Sequence, residues 1–406
     1  MYLALAIALG RVGGFISRIT KRGSGVMVTG RVILKLIPSA VETLSIGRSV
    51  VLVSGTNGKS TTTALIHRAL STSSATASNY TGANLFPGIA TALAENRGAP
   101  FAALEVDEMV LPWAIQQTKP RVIVLLNLGR DQLDRLSEVR VVAAKWKAAL
   151  VGLPASCTVL ADADDPFVTW AARDWVNVVW FTSGVVGHID ASTCPECGLV
   201  LKWTPEGTSY SCECGFKKPN PEWILRDNIL VGPNNQKVTV VSAIPGKAAI
   251  SNAARGVIAA SLLGVPLADS TDAISKISSV DGRFSTLKIG PTSFRLLLSK
   301  NPASWRETLA TSATGPKAVL LVVNANTQDG KDTSWLWDVD FTSLHDRTVV
   351  VTGERRLDVS VRLTVNDVKH SVVDDELMAA NVLGNCEADL IASYTAFHRL
   401  AKGVKR

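Results

Sequence analysis

The sequence predicts an α/β protein: a central domain on a parallel sheet, interrupted by a cysteine-rich insertion, and a smaller C-terminal α/β domain. Three observations carry this expectation. Continuous apolar runs recur between 49 and 160, separated by helical segments, the pattern of strands covered on both faces. A glycine-rich turn, Gly-Thr-Asn-Gly-Lys-Ser at 55–60, directly follows the first of those runs. Four of the six cysteines fall within 194–214. At 406 residues the chain is long for one core, so two or three domains are expected. A hydrophobic content of 47% against 19% charged residues excludes a disordered chain.

A helical lead is expected over 1–46. Its longest apolar run, "YLALAIALG" at 2–10, is shorter than the roughly 20 residues a bilayer needs. No basic region precedes that run and no clear cleavage site closes it, so a signal peptide is not expected and the protein reads as cytoplasmic. Residues 1–50 hold seven basic residues against one acid, Glu42, a net +6 within a chain of +7. If 2–22 is helical, Arg11, Arg18 and Arg22 share a face with Leu and Ile opposite. That row is either a solvated face or a surface drawn to an anionic substrate or to lipid headgroups at the inner face of the membrane.

The central domain is expected over 47–288. "SVVLVSG" (49–55) is a strand and "STTTALIHRALS" (60–71) a helix; "FAALEVD" (101–107) and "RVIVLLNL" (121–128) are strands. "EVRVVAAKWKAALVGL" (138–153) is a helix, and "CTVLADADD" (157–165) a strand ending in acids. The Gly/Cys-rich segment 190–217 breaks this rhythm as an insertion, after which "AAISNAARGVIAASLLGV" (248–265) resumes a helix stopped by Gly264. A second α/β rhythm fills 289–406, with strands at "SFRLLLS", "KAVLLVVNAN", "RTVVVTG" and "DLIASY".

The turn at 55–60 sits between a strand and a helix, as a phosphate cradle requires. Gly55 and Gly58 let the backbone N–H groups of Thr56, Asn57 and their neighbours face phosphate oxygens, and the helix N-terminus adds its positive end. Lys59 can reach the β/γ-phosphates of ATP, and Ser60 or Thr61 can offer a hydroxyl to Mg²⁺. Two residues, not the usual four, separate the first glycine from Gly-Lys. Glu105, ending its strand, is a suitable Mg²⁺ ligand. Asn127, Arg130 and Asp131 follow the next strand, where ligands of parallel sheets gather, although Arg130 and Asp131 also suit a structural ion pair.

Cys194, Cys197, Cys212 and Cys214 form CxxC and CxC knuckles, each followed by glycine, with 14 residues between them. This fits tetrahedral Zn²⁺, and four protein ligands close the coordination sphere, so the zinc is expected to be structural. Zinc ribbons bind nucleic acid elsewhere, but Lys202, Lys217 and Lys218 are opposed by Glu196, Glu206 and Glu213, and no nucleic acid is expected here. Cys157 and Cys386 stand alone, as small buried hydrophobes do.

The segments "VSGTNGKSTT", "LNLGRDQLDR", "ADADDP", "SNAARGVIAASLLGV" and "DGRFS" come in the order and spacing of the Mur ligase superfamily. With "EVDE" at 105–108, the cysteine insert, "KNPAS" at 300–304 and "DGKDTSWLWDVDF" at 329–341, the whole chain resembles the MurT family, the synthetase subunits of lipid II isoglutaminyl synthase. The resemblance implies a Mur ligase-type central P-loop domain with a zinc-ribbon insertion. It implies ATP-dependent activation of the D-glutamate α-carboxyl of the lipid II stem peptide as an acyl phosphate, then amidation. It also implies a partner, GatD, a class I glutamine amidotransferase-like subunit contacted by the C-terminal domain. By the same resemblance Lys59 and Ser60 handle phosphates, Glu105 binds Mg²⁺ and Asn252 lies near the nucleotide; Asn252 also suits a helix-buried amide. Asp332 would complete a Cys-His-Asp triad across the subunit interface, or cap a short helix at "TSWLWD". Trp335 and Trp337 are core or interface aromatics, and Asp338 and Asp340 are weaker candidates for Asp332's part.

Two departures from the wider superfamily bear on the substrate. Gln132 stands where many Mur ligases have histidine, and "LLLSKNP" keeps Asn301 and Pro302 but lacks an acid and a histidine. Both weaken the alternative of a stand-alone amino-acid or folylpolyglutamate-type ligase. Neither Cys157 nor Cys386 lies on a Gly-flanked nucleophile turn, so the nitrogen donor is expected from a partner. A zinc-ribbon ATPase acting on nucleic acid and a scaffold that binds nucleotide without using it are the remaining alternatives, the latter weakened by Lys59 and Glu105.

Overall fold

The apolar runs become sheet strands whose successive residues serve opposite faces. The computed structural model describes residues 2–20, 23–79, 82–130, 139–184, 190–277 and 284–403. Lys21, Arg22, Asp131, Gln132 and residues 281–283 of the "DGRFS" segment lie outside the described residues. The chain forms two compact units, the first of Met1–Gly129, Glu138–Ala243 and Ala249–Ile277, the second of Ser278–Arg406 with Arg130–Ser137 and Ile244–Ala248.

The first unit opens on three helices, α1 (Tyr2–Ile19), α2 (Val26–Leu36) and α3 (Ala40–Ser45). There follow β1 (Ser49–Ser54), α4 (Lys59–Leu70), β2 (Thr76–Ser78), α5 (Phe86–Glu95), β3 (Phe101–Glu105), α6 (Leu111–Thr118) and β4 (Val122–Leu125). Next come α7 (Val139–Leu150), β5 (Thr158–Asp162), α8 (Pro166–Ala172), β6 (Val178–Thr182), and the two-stranded ribbon β7 (Lys202–Trp203) and β8 (Tyr210–Ser211). The unit closes with β9 (Trp223–Arg226), β10 (Ile229–Val231), β11 (Lys237–Thr239), α9 (Lys247–Ser261) and α10 (Leu267–Ser275).

Its nine-stranded sheet runs β11-β10-β9-β6-β5-β4-β1-β3-β2. From β2 to β9 the strands are parallel, as the sequence suggested, and β10 and β11 add an antiparallel edge. The run 224–239 is short and polar between its apolar residues, as an antiparallel edge ribbon tolerates. Val50, Leu52, Ile123, Leu125 and Val159 face one apolar layer, with Ile89 and Trp146 from the helices. Val51, Val53, Val122, Val124 and Leu160 face the other, against Leu65, Ile66, Val257 and Ile258. Burial on both faces is why these strands carry no polar alternation.

Helix α1 corrects one expectation. The helix continues past the apolar run through Arg11 and two glycines to Ile19, and its 18 residues are apolar enough by length and composition to cross a membrane. In the fold it lies along α2. A Cβ on Gly14 would sit 2.2 Å from Thr29 Oγ1, so only glycine permits this approach. Helix α2 is tied onward to α5, where Thr91 Oγ1 donates to Val26 O at 2.9 Å.

The second unit comprises β12 (Phe284–Ile289), β13 (Thr292–Leu298), α11 (Pro302–Ala313), β14 (Ala318–Val322), β15 (Thr348–Thr352), α12 (Arg356–Val365), β16 (His370–Val372), α13 (Glu376–Leu383), β17 (Glu387–Ala392) and α14 (Tyr394–Gly403). Its sheet runs β12-β13-β17-β14-β15-β16, parallel except for the β12–β13 hairpin. Fully buried Trp305 centres one of its apolar layers, 5.7 Å from Phe341 and 6.2 Å from Trp335 between ring centroids. Phe294, Leu320, Leu390 and Phe397 fill the other.

Candidate functional site

Strand β1 lies between β3 and β4, so the chain crosses to opposite sides of it, and the carboxyl ends of these three strands meet at a crevice. The 55–60 turn occupies that point. It is latched onto the segment after β4 by a set of hydrogen bonds spanning some seventy residues of chain. Thr56 N donates to Asn127 O at 2.8 Å, and Thr56 Oγ1 donates to Gly129 O at 3.1 Å while accepting from Gly129 N at 3.0 Å. Asn57 N donates to Asn127 Oδ1 at 2.9 Å, and Asn127 Nδ2 returns to Asn57 O at 3.0 Å. The shortened turn is thus held by its neighbour strand, and Asn127 is the residue that holds it.

Gly58 has φ 86°, and a Cβ there would meet the Asn252 side chain at 2.9 Å. The structure therefore brings Asn252, on α9, against the turn. Ser60 and Thr61 are buried in the first turn of α4. The Lys59 ammonium is also buried; it donates to Glu108 Oε1 at 3.0 Å, to Thr56 O at 3.3 Å and to Gly55 O. Glu108 was not among the predicted site residues. It stands in "EVDE", but nothing in the sequence links it to a lysine 49 residues earlier.

Glu105, 2% exposed, ends β3 beside β1. Asn84 Nδ2 donates to its Oε1 at 3.1 Å. Asn79 clamps its backbone, accepting from Glu105 N at 2.7 Å and donating to Glu105 O at 2.8 Å. A buried carboxylate at a strand's end, a hydroxyl on Ser60 and a lysine on a helix N-terminus are the donor types that suit a nucleotide triphosphate and Mg²⁺. The predicted residues Gly55, Thr56, Asn57, Gly58, Lys59, Ser60, Thr61, Glu105 and Asn252 all belong to the first unit.

The acids of "ADADDP" support this edge. Asp165 accepts from Leu128 N at 2.7 Å and caps α8 through Phe167 N and Val168 N, fixing the loop that latches the turn. Asp162 forms a buried ion pair with Arg255 on α9, and burial pushes its carboxyl up to about 7 while Arg255 opposes the rise. Asp164 takes Lys218 Nζ at 2.6 Å, tying down the chain where it leaves the cysteine insert.

The four clustered thiols converge as the spacing predicted, all within 4.8 Å of one another. Cys194 and Cys214 Sγ are 3.7 Å apart, and Cys197 and Cys212 Sγ are 3.5 Å apart. Zn–S bonds of about 2.3 Å in a tetrahedron place sulfurs about 3.8 Å apart, so the cluster fits zinc. The backbone N–H of Cys214 draws the Cys212 thiol down to about 7, toward the thiolate a metal takes. The ribbon is pinned to the first unit by Tyr210, whose hydroxyl hydrogen-bonds to Thr169 Oγ1 at 2.7 Å and Ala163 O at 3.1 Å. Cys157 is fully buried and its thiol is pushed up to about 12 by desolvation.

Asp332 lies in the second unit, exposed on the loop beyond β14. It accepts from Ser334 N at 2.8 Å at the start of a 3₁₀ turn, Ser334–Asp338, and that amide holds its carboxyl below the usual carboxylate range. The helix-start role and an outward-facing acid therefore coexist in one residue. Trp335 belongs to the core, whereas Trp337 is 59% exposed and borders an open groove of about 410 Å³ with Thr333, Leu336, Leu357 and Val361. Asp340 is an exposed cap on Thr342 N, and Asp338 pairs with Arg130 at 3.1 Å. Asn301 and Pro302 start α11: Asn301 Oδ1 accepts from Ser304 N at 2.9 Å in a capping box.

Comparison with known proteins adds to this geometry. The family described as Mur ligase middle domain matches residues 53–260, and that described as MurT ligase C-terminal matches 298–397. The MurT subunit of the glutamine-hydrolyzing lipid II isoglutaminyl synthase of Streptococcus pneumoniae is 28% identical over 97% of this chain and 94% of its own. Among solved structures, a pseudomurein peptide ligase type C from Methanothermus fervidus superposes with a TM-score of 0.69 at 19% identity, covering 89% of this chain and 79% of that one. MurF from Acinetobacter baumannii gives 0.65 at 16% identity, with 92% and 80% covered. At these identities the two structures speak to the fold.

Proposed function

We propose, because this chain belongs to the Mur ligase family, that it is the synthetase subunit of a lipid II isoglutaminyl synthase in peptidoglycan synthesis. The observation that carries the reading is the alignment to the pneumococcal subunit along nearly the whole of both chains, C-terminal unit included. A stand-alone amino-acid ligase would not account for that C-terminal match.

ATP with Mg²⁺ would supply the phosphoryl group that activates the D-glutamate α-carboxyl of the stem peptide as an acyl phosphate. Such a transfer demands positioning and charge neutralisation more than covalent help. The amides of 55–60 and Lys59 would take the phosphates, Lys59 exchanging Glu108 and two carbonyls for phosphate oxygens. Ser60 and Glu105 would hold the Mg²⁺, and Asn252 would border the nucleotide through its contact with Gly58. Ammonia would attack the acyl carbon, and phosphate would leave carrying away one of the ammonia's protons, giving the amide.

The nitrogen comes from a GatD-like glutamine amidotransferase subunit in a heterodimer. Cys157, with its thiol at about 12, is no nucleophile. The exposed carboxylate of Asp332 orients the partner's catalytic histidine, and the apolar rim of Trp337, Leu357 and Val361 beside it suits a protein interface. In this reading the helical lead and the ATP-binding part with its 190–217 insert belong to the first unit, and the second unit, which already holds β12, contacts the partner. The four cysteines hold a structural zinc, and the enzyme works from the cytoplasm on lipid II at the membrane surface.

Reconstitution tests the proposal: the chain, a co-purified glutaminase subunit, lipid II, glutamine and ATP should yield amidated lipid II, detected by mass. Absence of amide product with both subunits present would sink it.

A further inference from the structure

The helical hairpin α1–α2 carries a surface that neither the cradle nor the Asp332 loop uses. Tyr2, Leu5, Leu9, Val12, Ile16 and Ile19 recur at alternating steps of three and four, so they form one stripe along α1. They are 48–78% exposed, and Phe15, 56% exposed, widens the stripe. The opposite face, through Ala6, Ile7, Gly10, Gly14 and Ser17, is buried. Fixed by that face to α2, the helix lies on the unit's surface with its stripe outward.

Charge accompanies the stripe. At 100° per residue, exposed Arg11 and Arg18 form a single row along its edge, and Arg31 and Lys35 are exposed one turn apart on α2. No Asp or Glu occurs before Glu42. A second copy of the chain would bring arginine against arginine with no acid to receive it. An apolar stripe bordered by cations matches the boundary between acyl chains and anionic headgroups. We propose that this face docks the protein in the plane of an anionic phospholipid bilayer, the stripe entering the acyl boundary and the basic rows meeting lipid phosphates. The inference stands on the surface itself and does not depend on amidation, though it would bring the cradle to a lipid-linked substrate.

Flotation of the full chain with vesicles of phosphatidylglycerol and phosphatidylcholine, against phosphatidylcholine alone, tests this. The protein should float with the anionic vesicles and release with added salt. Arg11→Ala with Arg18→Ala should lower that partitioning about tenfold or more. Val12→Asp with Ile16→Asp should abolish it, with the thermal unfolding of this exposed-site variant unchanged. Wild-type protein left unfloated at low salt overturns the inference, as does flotation undiminished by either pair. Sedimentation showing a dimer split by the aspartate pair, with no vesicle binding, assigns the face to a second copy and overturns it too. Flotation without amidation would sink the amidation reading alone, and amidation without flotation would sink this one.

Discussion

In the proposed reaction Lys59 serves the phosphate and Asp332 the nitrogen supply, so their substitutions should separate. Lys59→Ala would remove the charge proposed to meet the transferring phosphoryl group and should lower amidation by at least about 10²-fold with glutamine or with free ammonia. Asp332→Asn should abolish amidation from glutamine while ammonia still supports it; persistence of glutamine-dependent turnover would refute the triad role. Asp162 gives a pH signature of the fold. Its carboxyl rises from 3.8 to about 7 chiefly by desolvation. The folded chain thus keeps a proton that the unfolded chain releases, so this group's stabilisation is full below about pH 4 and is lost as pH rises through about 7. Urea denaturation compared at roughly pH 5 and pH 8 should show that slope shrinking in Asp162→Asn.

Elements differ in how much their sequence reveals. Strands β1, β3, β4 and β14 were legible because burial on both faces makes them continuous apolar runs. The cysteine knuckles were legible because metal geometry constrains spacing. Helix α5 offered little, since Pro87 and Gly88 open it and its register is set by packing on α2. The antiparallel ribbon β9–β11 was equally obscure, its strands being three or four residues long. Within the site, the turn was readable from its glycines and lysine, but the Asn57–Asn127 latch and the Lys59–Glu108 pair exist only once strands distant in sequence lie side by side. The insert buries Leu201, Tyr210 and Phe216 against the first unit, but its two-residue strands cannot hold themselves. Chelation should therefore raise hydrogen exchange across 190–217 while amides of β1 and β4 keep their protection; uniform loss across the first unit would refute a locally structural metal.

Over the whole molecule, two sets of apolar layers belong to separate units, so unfolding should not be a single transition. Trp146 and Trp305, both fully buried, mark one unit each. Truncation of either to Ala should cost about 3–5 kcal/mol. In calorimetry Trp305→Ala should shift one transition and Trp146→Ala the other, whereas a common shift would mean the units unfold as one. The latched turn has a kinetic corollary for the working enzyme. Five hydrogen bonds from Thr56, Asn57, Asn127 and Gly129 already set its shape in the free protein. If the turn takes a triphosphate as proposed, it has little loop to organise, so capture should run near the pace of diffusional encounter, slowed by the exchange of Lys59's Glu108 and carbonyl partners for phosphate. At saturating nucleotide, arrival would then not be the slow step of a turnover.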